Sequence, residues 1–138
     1  MKANLVASTT VPARAATGVR IGQVITALVA ALLLFDAVIH ILNIAPVVEG
    51  SRTLGFDADV MPWIGALELA LIGLYVVPRT AVLGAVLLTG YLGGALCAQL
   101  RIEAPLFSTM LFPVYVGVAL WAGLWLRDAR VRDLMAAR

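Results

Sequence analysis

Four stretches of the chain are almost wholly apolar, and short polar interruptions separate them. They run roughly over Ile21 to Leu42, Pro62 to Val77, Thr80 to Leu100 and Thr109 to Leu126. A helix of about 20 residues, rising ~1.5 Å per residue, crosses a hydrocarbon core of ~30 Å. Each stretch therefore predicts a membrane span, the second being short for a full crossing. The third has Arg79 and Arg101 at its ends and no charge between them. Its small residues recur every fourth position in two stripes: Ala81, Ala85, Thr89 and Gly93, then Gly90, Gly94 and Ala98. In lipid, small residues mark where helix backbones approach closely. Gly90, Gly93 and Gly94 thus predict a central third helix packed against neighbours on two sides.

The interruptions predict the connections. Asn43 to Met61 carries Glu49, Arg52, Asp57 and Asp59. Pro46 suits the first turn of a short helix there and Gly55 its end. Val47, Val48, Leu54 and Phe56 give that segment one apolar side, suited to the membrane interface. Pro78-Arg79 leaves room only for a tight turn, so spans two and three are antiparallel neighbours. Ser108 is positioned as an N-cap for span four, with Pro113 placed to kink it one turn later. Trp63, Trp121 and Trp125 read as interfacial anchors.

Composition places the chain in lipid. It has 138 residues, 62% of them hydrophobic and 13% charged, with a mean hydropathy of +1.01. A chain of this size has too little interior to hide that much apolar surface from water. The expected architecture is all-α, an integral membrane four-helix bundle. It divides into a disordered cytoplasmic N-terminus (1–18), the four-helix domain (19–128) and a basic cytoplasmic tail (129–138). Met1 to Thr17 resembles the front of a signal peptide, but the apolar run that follows ends in an acid, not a small-residue cleavage site. An uncleaved first span is the expectation. A net charge of +2 with scattered arginines excludes nucleic-acid binding. No phosphate-cradling glycine loop or paired-cysteine metal motif occurs. The lone Cys97 rules out an intramolecular disulfide and reads as a small packing residue.

The candidate chemistry follows from depth. Asp36 lies roughly 10 Å below the outer end of span one, and Glu68 and Tyr115 roughly 9 Å below the same surface in spans two and four. Tyr91 is near mid-membrane. His40 stands one turn above Asp36 on the same face, and Gln99 and Arg101 close the outer end of span three. Ionisable groups at such depth cost at least a few kcal/mol unless they face the interior and find partners. Asp36, His40, Glu68, Tyr91, Gln99, Arg101 and Tyr115 are therefore expected to converge on one pocket open to the outside. Asp36 and Glu68 read either as a proton-sharing pair or as structural, with one neutral carboxylic acid hydrogen-bonded to a backbone group or to Tyr115. His40 reads as an interfacial histidine bonded to Asp36 in preference to a proton relay. Arg101 reads as snorkelling to the interface. A metal site of Asp36, His40 and Glu68 is chemically allowed, but no spacing signal marks it and no metal is assigned. Haem held by two histidines is excluded by the single His.

Several segments together resemble the DoxX-like family of small four-helix bacterial membrane proteins. They are PRTAVLGAVLLTGYLGGA from Pro78, Phe35-Asp36-Ala37-Val38, Ala45-Pro46-Val47-Val48-Glu49, Leu54-Gly55-Phe56, Leu111 to Gly117, and Trp125 to Asp128. The resemblance spans about Phe35 to Leu134. Two positions depart from it: His40 stands where Lys is common, and Gln99 where His is common. The resemblance implies an inner-membrane, multi-pass protein. It also implies a link to quinone-dependent sulfur oxidation or to other redox and assembly complexes. The first functional expectation is an accessory subunit of a quinone- or thiol-linked redox system, with a quinone or other isoprenoid in a pocket walled by Asp36, Glu68, Tyr91 and Tyr115. The second is a non-enzymatic scaffold or assembly factor whose polar groups only lock the bundle, with no cavity. Proton-transfer catalysis on a lipid-like substrate, as in sterol isomerases, is a third reading by fold analogy. The sequence shows no cofactor site of its own; its partners are the bilayer and, by resemblance, a membrane redox complex, with a homo-oligomer allowed.

Four spans place both termini on one side, together with Lys2, Arg14, Arg20, Arg79, Arg127, Arg130, Arg132 and Arg138, leaving Arg52 and Arg101 opposite. Eight basic residues against two orient the termini to the cytoplasm. In a Cys97→Ser background, a cysteine at position 52 is expected to react with an impermeant reagent applied outside intact cells, and one at position 2 to be protected. Labelling of position 2 from outside contradicts the topology.

Overall fold

The computed structural model describes residues 13–136. Six α-helices follow in order: α1 (Ala13–Ile41), α2 (Ala45–Thr53), α3 (Met61–Val76), α4 (Ala81–Arg101), α5 (Phe112–Arg127) and α6 (Ala129–Ala136). A 3₁₀ turn, Ala58–Val60, leads into α3, and a π-helical turn, Leu106–Met110, precedes α5. Four segments are long and apolar enough to cross a membrane: Ala16–Ile41, Ala58–Val76, Ala81–Arg101 and Leu106–Arg127. The second reaches that length by continuing back through the 3₁₀ turn. The helix α1 already runs from Ala13, so the later part of the segment expected to be disordered is helical. The rest of that segment, residues 1–12, lies outside the described residues.

The four long helices pack in sequence around a ring: α1 against α3 and α5, and α4 against α3 and α5. Each buries one narrow stripe, spaced by three or four residues as a helix requires. On α1 it is Gly22, Thr26, Val29, Leu33 and Ala37; on α3, Met61, Gly65, Glu68, Leu71, Ile72 and Tyr75. On α4 it is Ala81, Gly84, Ala85, Leu88 and Leu92; on α5, Pro113, Val116, Leu120, Gly123 and Leu124. The outward faces are as apolar as the inward ones: Leu28, Phe35, Leu67, Leu83, Val86 and Val118 are all exposed. That pattern suits lipid, where outward Leu and Val cost nothing and only packing separates inside from outside.

Close approach occurs at glycines other than those expected. A Cβ at Gly65 would lie 2.6 Å from the Ala37 carbonyl oxygen, and one at Gly22 would lie 2.7 Å from the Arg127 amide nitrogen. At Gly84 it would strike the backbone of Tyr75, and at Gly123 it would meet Thr26 Oγ1 at 2.9 Å. Positions 90, 93 and 94 meet nothing within 4 Å. The tight helix contacts are therefore α1–α3, α1–α5 and α3–α4, near the ends of the helices, and the glycines in the second half of α4 leave space instead of closing it. Cys97 is likewise exposed and not a packing residue.

The end of the molecule where α1 begins and α5 finishes is knitted by polar groups. Tyr75 is fully buried; its hydroxyl donates to the Leu120 carbonyl at 2.9 Å and lies 3.4 Å from Thr26 Oγ1. Arg127 donates to the Tyr75 carbonyl at 2.8 Å and its guanidinium sits 5.2 Å from that ring's centre. Arg132 bonds the last carbonyls of α5, Trp125 and Leu126, both at 2.9 Å. Arg130 bonds the Pro78 carbonyl at 2.7 Å. Cations at helix C-termini satisfy carbonyls the helix leaves open and match its dipole. Asp128 caps α6 through the Arg130 amide at 2.9 Å. Hydrogen bonds from Arg130 hold its carboxyl below the usual Asp range. The tail is thus a short helix seated on α5 through the buried Val131.

The other connections follow local chemistry. Pro46 sits in the first turn of α2. Gly55, with φ +76, ends that helix: its amide bonds the Arg52 carbonyl at 3.0 Å and the Phe56 amide bonds Ser51 at 2.8 Å, the Schellman pattern. Span four differs from expectation. Ser108 makes no cap, and Pro113 does not kink a running helix but occupies the first turn of α5, where its missing N–H costs nothing. The irregularity falls before it, in the π-helical turn.

These contacts set a test. Replacing Gly84 or Gly65 with Leu forces backbones apart and is expected to destabilise the protein in detergent by about 1–3 kcal/mol, as overpacking does. Gly90→Leu, whose side chain enters free space, is expected to stay within about 0.5 kcal/mol of the parent in thermal unfolding. Equal losses at all three positions contradict the assignment.

Candidate functional site

At the opposite end, where α1 and α4 finish and α3 begins, α1 and α3 still touch at Gly65, but the second half of α4 stands off from its neighbours. A cavity of ≈ 790 Å³ opens there. The second half of α4 faces it with Gly90, Gly94, Ala95 and Ala98, too small to fill the gap between α4 and its neighbours. The small-residue stripe that suggested close packing makes a cavity wall. Leu54 and Phe56 after α2, and Ser108 and Thr109 in the π-helical turn, also line it.

The walls are mainly apolar, with polar groups supplied by α1, α3 and α4. Asp36 and His40 sit one turn apart on α1, the spacing that stacks side chains on one face. His40 Nδ1 is 2.8 Å from the Asp36 backbone carbonyl and 3.4 Å from its Oδ2. A carbonyl only accepts, so Nδ1 carries the proton in that bond and the neutral ring keeps its lone pair on Nε2. Glu68, on the buried stripe of α3, has no exposed surface. Tyr91 of α4 donates to Glu68 Oε2 at 3.0 Å. Glu68 Oε1 is buried without a hydrogen-bond partner. Buried polar atoms are nearly always satisfied, so this oxygen calls for a partner, either a proton shared with the neighbouring Asp36 carboxyl or a group from inside the cavity. One ligand atom each from Asp36, His40 and Glu68 lie within 4.8 Å of one another.

Five of the seven residues expected at one pocket line this cavity: Asp36, His40, Glu68, Tyr91 and Gln99. Tyr115 does not. It is half-exposed on α5, and the tyrosine that bonds Glu68 is Tyr91. The π-helical turn and the late start of α5 set the rotation that turns it outward. Arg101 also stands off the walls; it donates to the Leu54 carbonyl and holds the end of α4 to the cap of α2. Sequence reasoning missed Ser108 and Thr109 as wall residues, having assigned the first to a cap. A second, smaller cavity of ≈ 460 Å³ lies between α4 and α5 beside Gly93 and Trp121, and is almost wholly apolar. Trp121 donates to Thr89 there at 2.9 Å.

The geometry defines an all-helical protein with four membrane-length helices and a cavity carrying buried polar groups at one end of them. A model of the DoxX-like family matches residues 24–123, most of the chain and all four of these segments in whole or in large part. The chain belongs to the DoxX-like family. No curated protein and no solved structure matches it.

Proposed function

We propose that the protein is an inner-membrane four-helix bundle, both termini in the cytoplasm, that holds a small lipid-soluble molecule in the cavity between α1, α3 and α4. The molecule has an apolar body and one hydrogen-bonding head, as an isoprenoid quinone has. The protein then serves as an accessory subunit of a quinone- or thiol-linked redox system. The observation that carries the reading is the ≈ 790 Å³ cavity, mainly apolar, with Asp36, His40, Glu68 and Tyr91 among the few polar groups on its wall. Small-molecule sites commonly have this make-up: mostly apolar, of several hundred Å³, with a few converging polar groups. The redox assignment is supported by the family resemblance. The scaffold reading expects full mutual hydrogen bonding and no cavity, and the open cavity favours the ligand reading over it.

The test uses the protein in lipid nanodiscs and a short-chain ubiquinone analogue. Binding to the folded state alone stabilises it by about 2.7 kcal/mol at 100 times Kd, read as a rise in unfolding temperature that saturates. Gly94→Leu fills the cavity and is expected to abolish the rise while leaving the protein folded. No saturable rise in the parent, or the same rise in Gly94→Leu, contradicts the proposal.

A further inference from the structure

We infer that Asp36, His40 and Glu68 form a site for one divalent transition-metal ion, zinc or a similar first-row ion, at the polar wall of the cavity. The inference stands apart from what fills the cavity's apolar part. Among the described residues these are the group of three potential ligands that the fold brings together, and they come from two helices. Two carboxylates and an imidazole make a mixed oxygen–nitrogen donor set of the kind borderline metals take.

Three features separate this cluster from chance acidity. The first is Glu68, fully buried on the cavity wall, whose Oε1 meets no donor and has the Asp36 carboxyl, another acceptor, for a neighbour. The second is the outer support. His40 donates Nδ1–H to the Asp36 carbonyl, which leaves Nε2 free to ligate. Tyr91 holds the other oxygen of Glu68. Ligating histidines usually donate their second nitrogen to a carbonyl or carboxylate, and ligating carboxylates are hydrogen-bonded in turn. The third is charge. No arginine or lysine pairs with these acids among the described residues. Two carboxylates in apolar surroundings are costly to hold together, and a divalent cation with a neutral imidazole brings the cluster to zero net charge.

Reach is adequate. Around a tetrahedral ion with bonds of ~2.0–2.1 Å, ligand atoms stand about 3.4 Å apart. The present upper limit of 4.8 Å closes by side-chain rotation of Asp36, which is partly exposed at 44%, while His40 keeps its bond to the Asp36 carbonyl. Three protein ligands leave a fourth position facing the cavity, the arrangement of sites that bind an exchangeable ligand on the metal.

The experiment uses the full chain in nanodiscs, in a Cys97→Ser background so that the exposed thiol takes no metal, purified without a histidine tag. After chelation and removal of the chelator, Zn²⁺ is titrated against a chromophoric competitor, and Co²⁺ absorption reports the geometry. The parent is expected to bind about one Zn²⁺ per chain. Tyr91→Phe is expected to keep that stoichiometry with affinity lower by roughly 10- to 100-fold. Glu68→Gln and His40→Ala lose more than this. Glu68→Gln keeps the shape of the buried side chain; should it fail to fold, His40→Ala, at the rim, carries the comparison. Less than a tenth of an equivalent in the parent, or parental affinity in His40→Ala, overturns the site. A failed Zn²⁺ titration leaves the quinone-induced shift standing, and the reverse holds equally.

Discussion

A carboxyl group with no exposed surface, set among helices that are otherwise apolar, is the constraint on which the structure turns. Glu68 occupies the middle of the buried stripe of α3, where Leu or Ala would pack without penalty. Its removal from polar solvent costs several kcal/mol unless partners answer it. The surroundings are arranged accordingly. Tyr91 reaches across from α4, Asp36 and His40 approach from α1, and glycine and alanine on α4 keep the space beside them open. An interhelical hydrogen bond in a membrane protein averages about 0.6 kcal/mol, so the Tyr91 bond alone cannot offset the burial.

The two ends of the molecule contrast. Where α3 and α5 finish, Tyr75, Arg127, Arg130 and Arg132 satisfy backbone carbonyls of neighbouring helices, and glycines 22, 84 and 123 bring backbones into contact. That end is closed and rigid in its construction. At the other, the helices splay around the cavity, and the covering elements are short: α2 with its glycine cap, and a π-helical turn before α5. Arg101 ties the first of these to α4 through the Leu54 carbonyl. The fold thus separates a clamp from a chamber, and the deeply buried carboxyl of Glu68 belongs to the chamber.

Much of this was legible in the chain. Long apolar runs reveal membrane-length helices without any periodicity, and counting residues from each end put Asp36 and Glu68 at one level. Pro46 and Gly55 announced the start and stop of α2. What was hidden shares one cause: when every face of a helix is apolar, nothing in the sequence marks which face turns inward. The stripe of Gly90, Gly93 and Gly94 was therefore visible, but whether it touched a helix or bordered a void was not. Tyr115 was expected at the pocket but faces away from it on α5, which begins only after the π-helical turn. Tyr75, the hub of the closed end, gave one signal that went unused: a hydroxyl needing a partner, in an apolar span four residues before Arg79.

The central claim is that the chamber beside Glu68 holds a molecule other than bulk lipid. A diazirine amino acid placed at position 94, on the chamber wall, and in a separate variant at position 83, on the exposed face of α4, tests it in native membranes. After illumination, intact-protein mass spectrometry is expected to show a discrete adduct whose mass is not that of a phospholipid at position 94 and phospholipid adducts alone at position 83. Phospholipid adducts alone at both positions contradict the account.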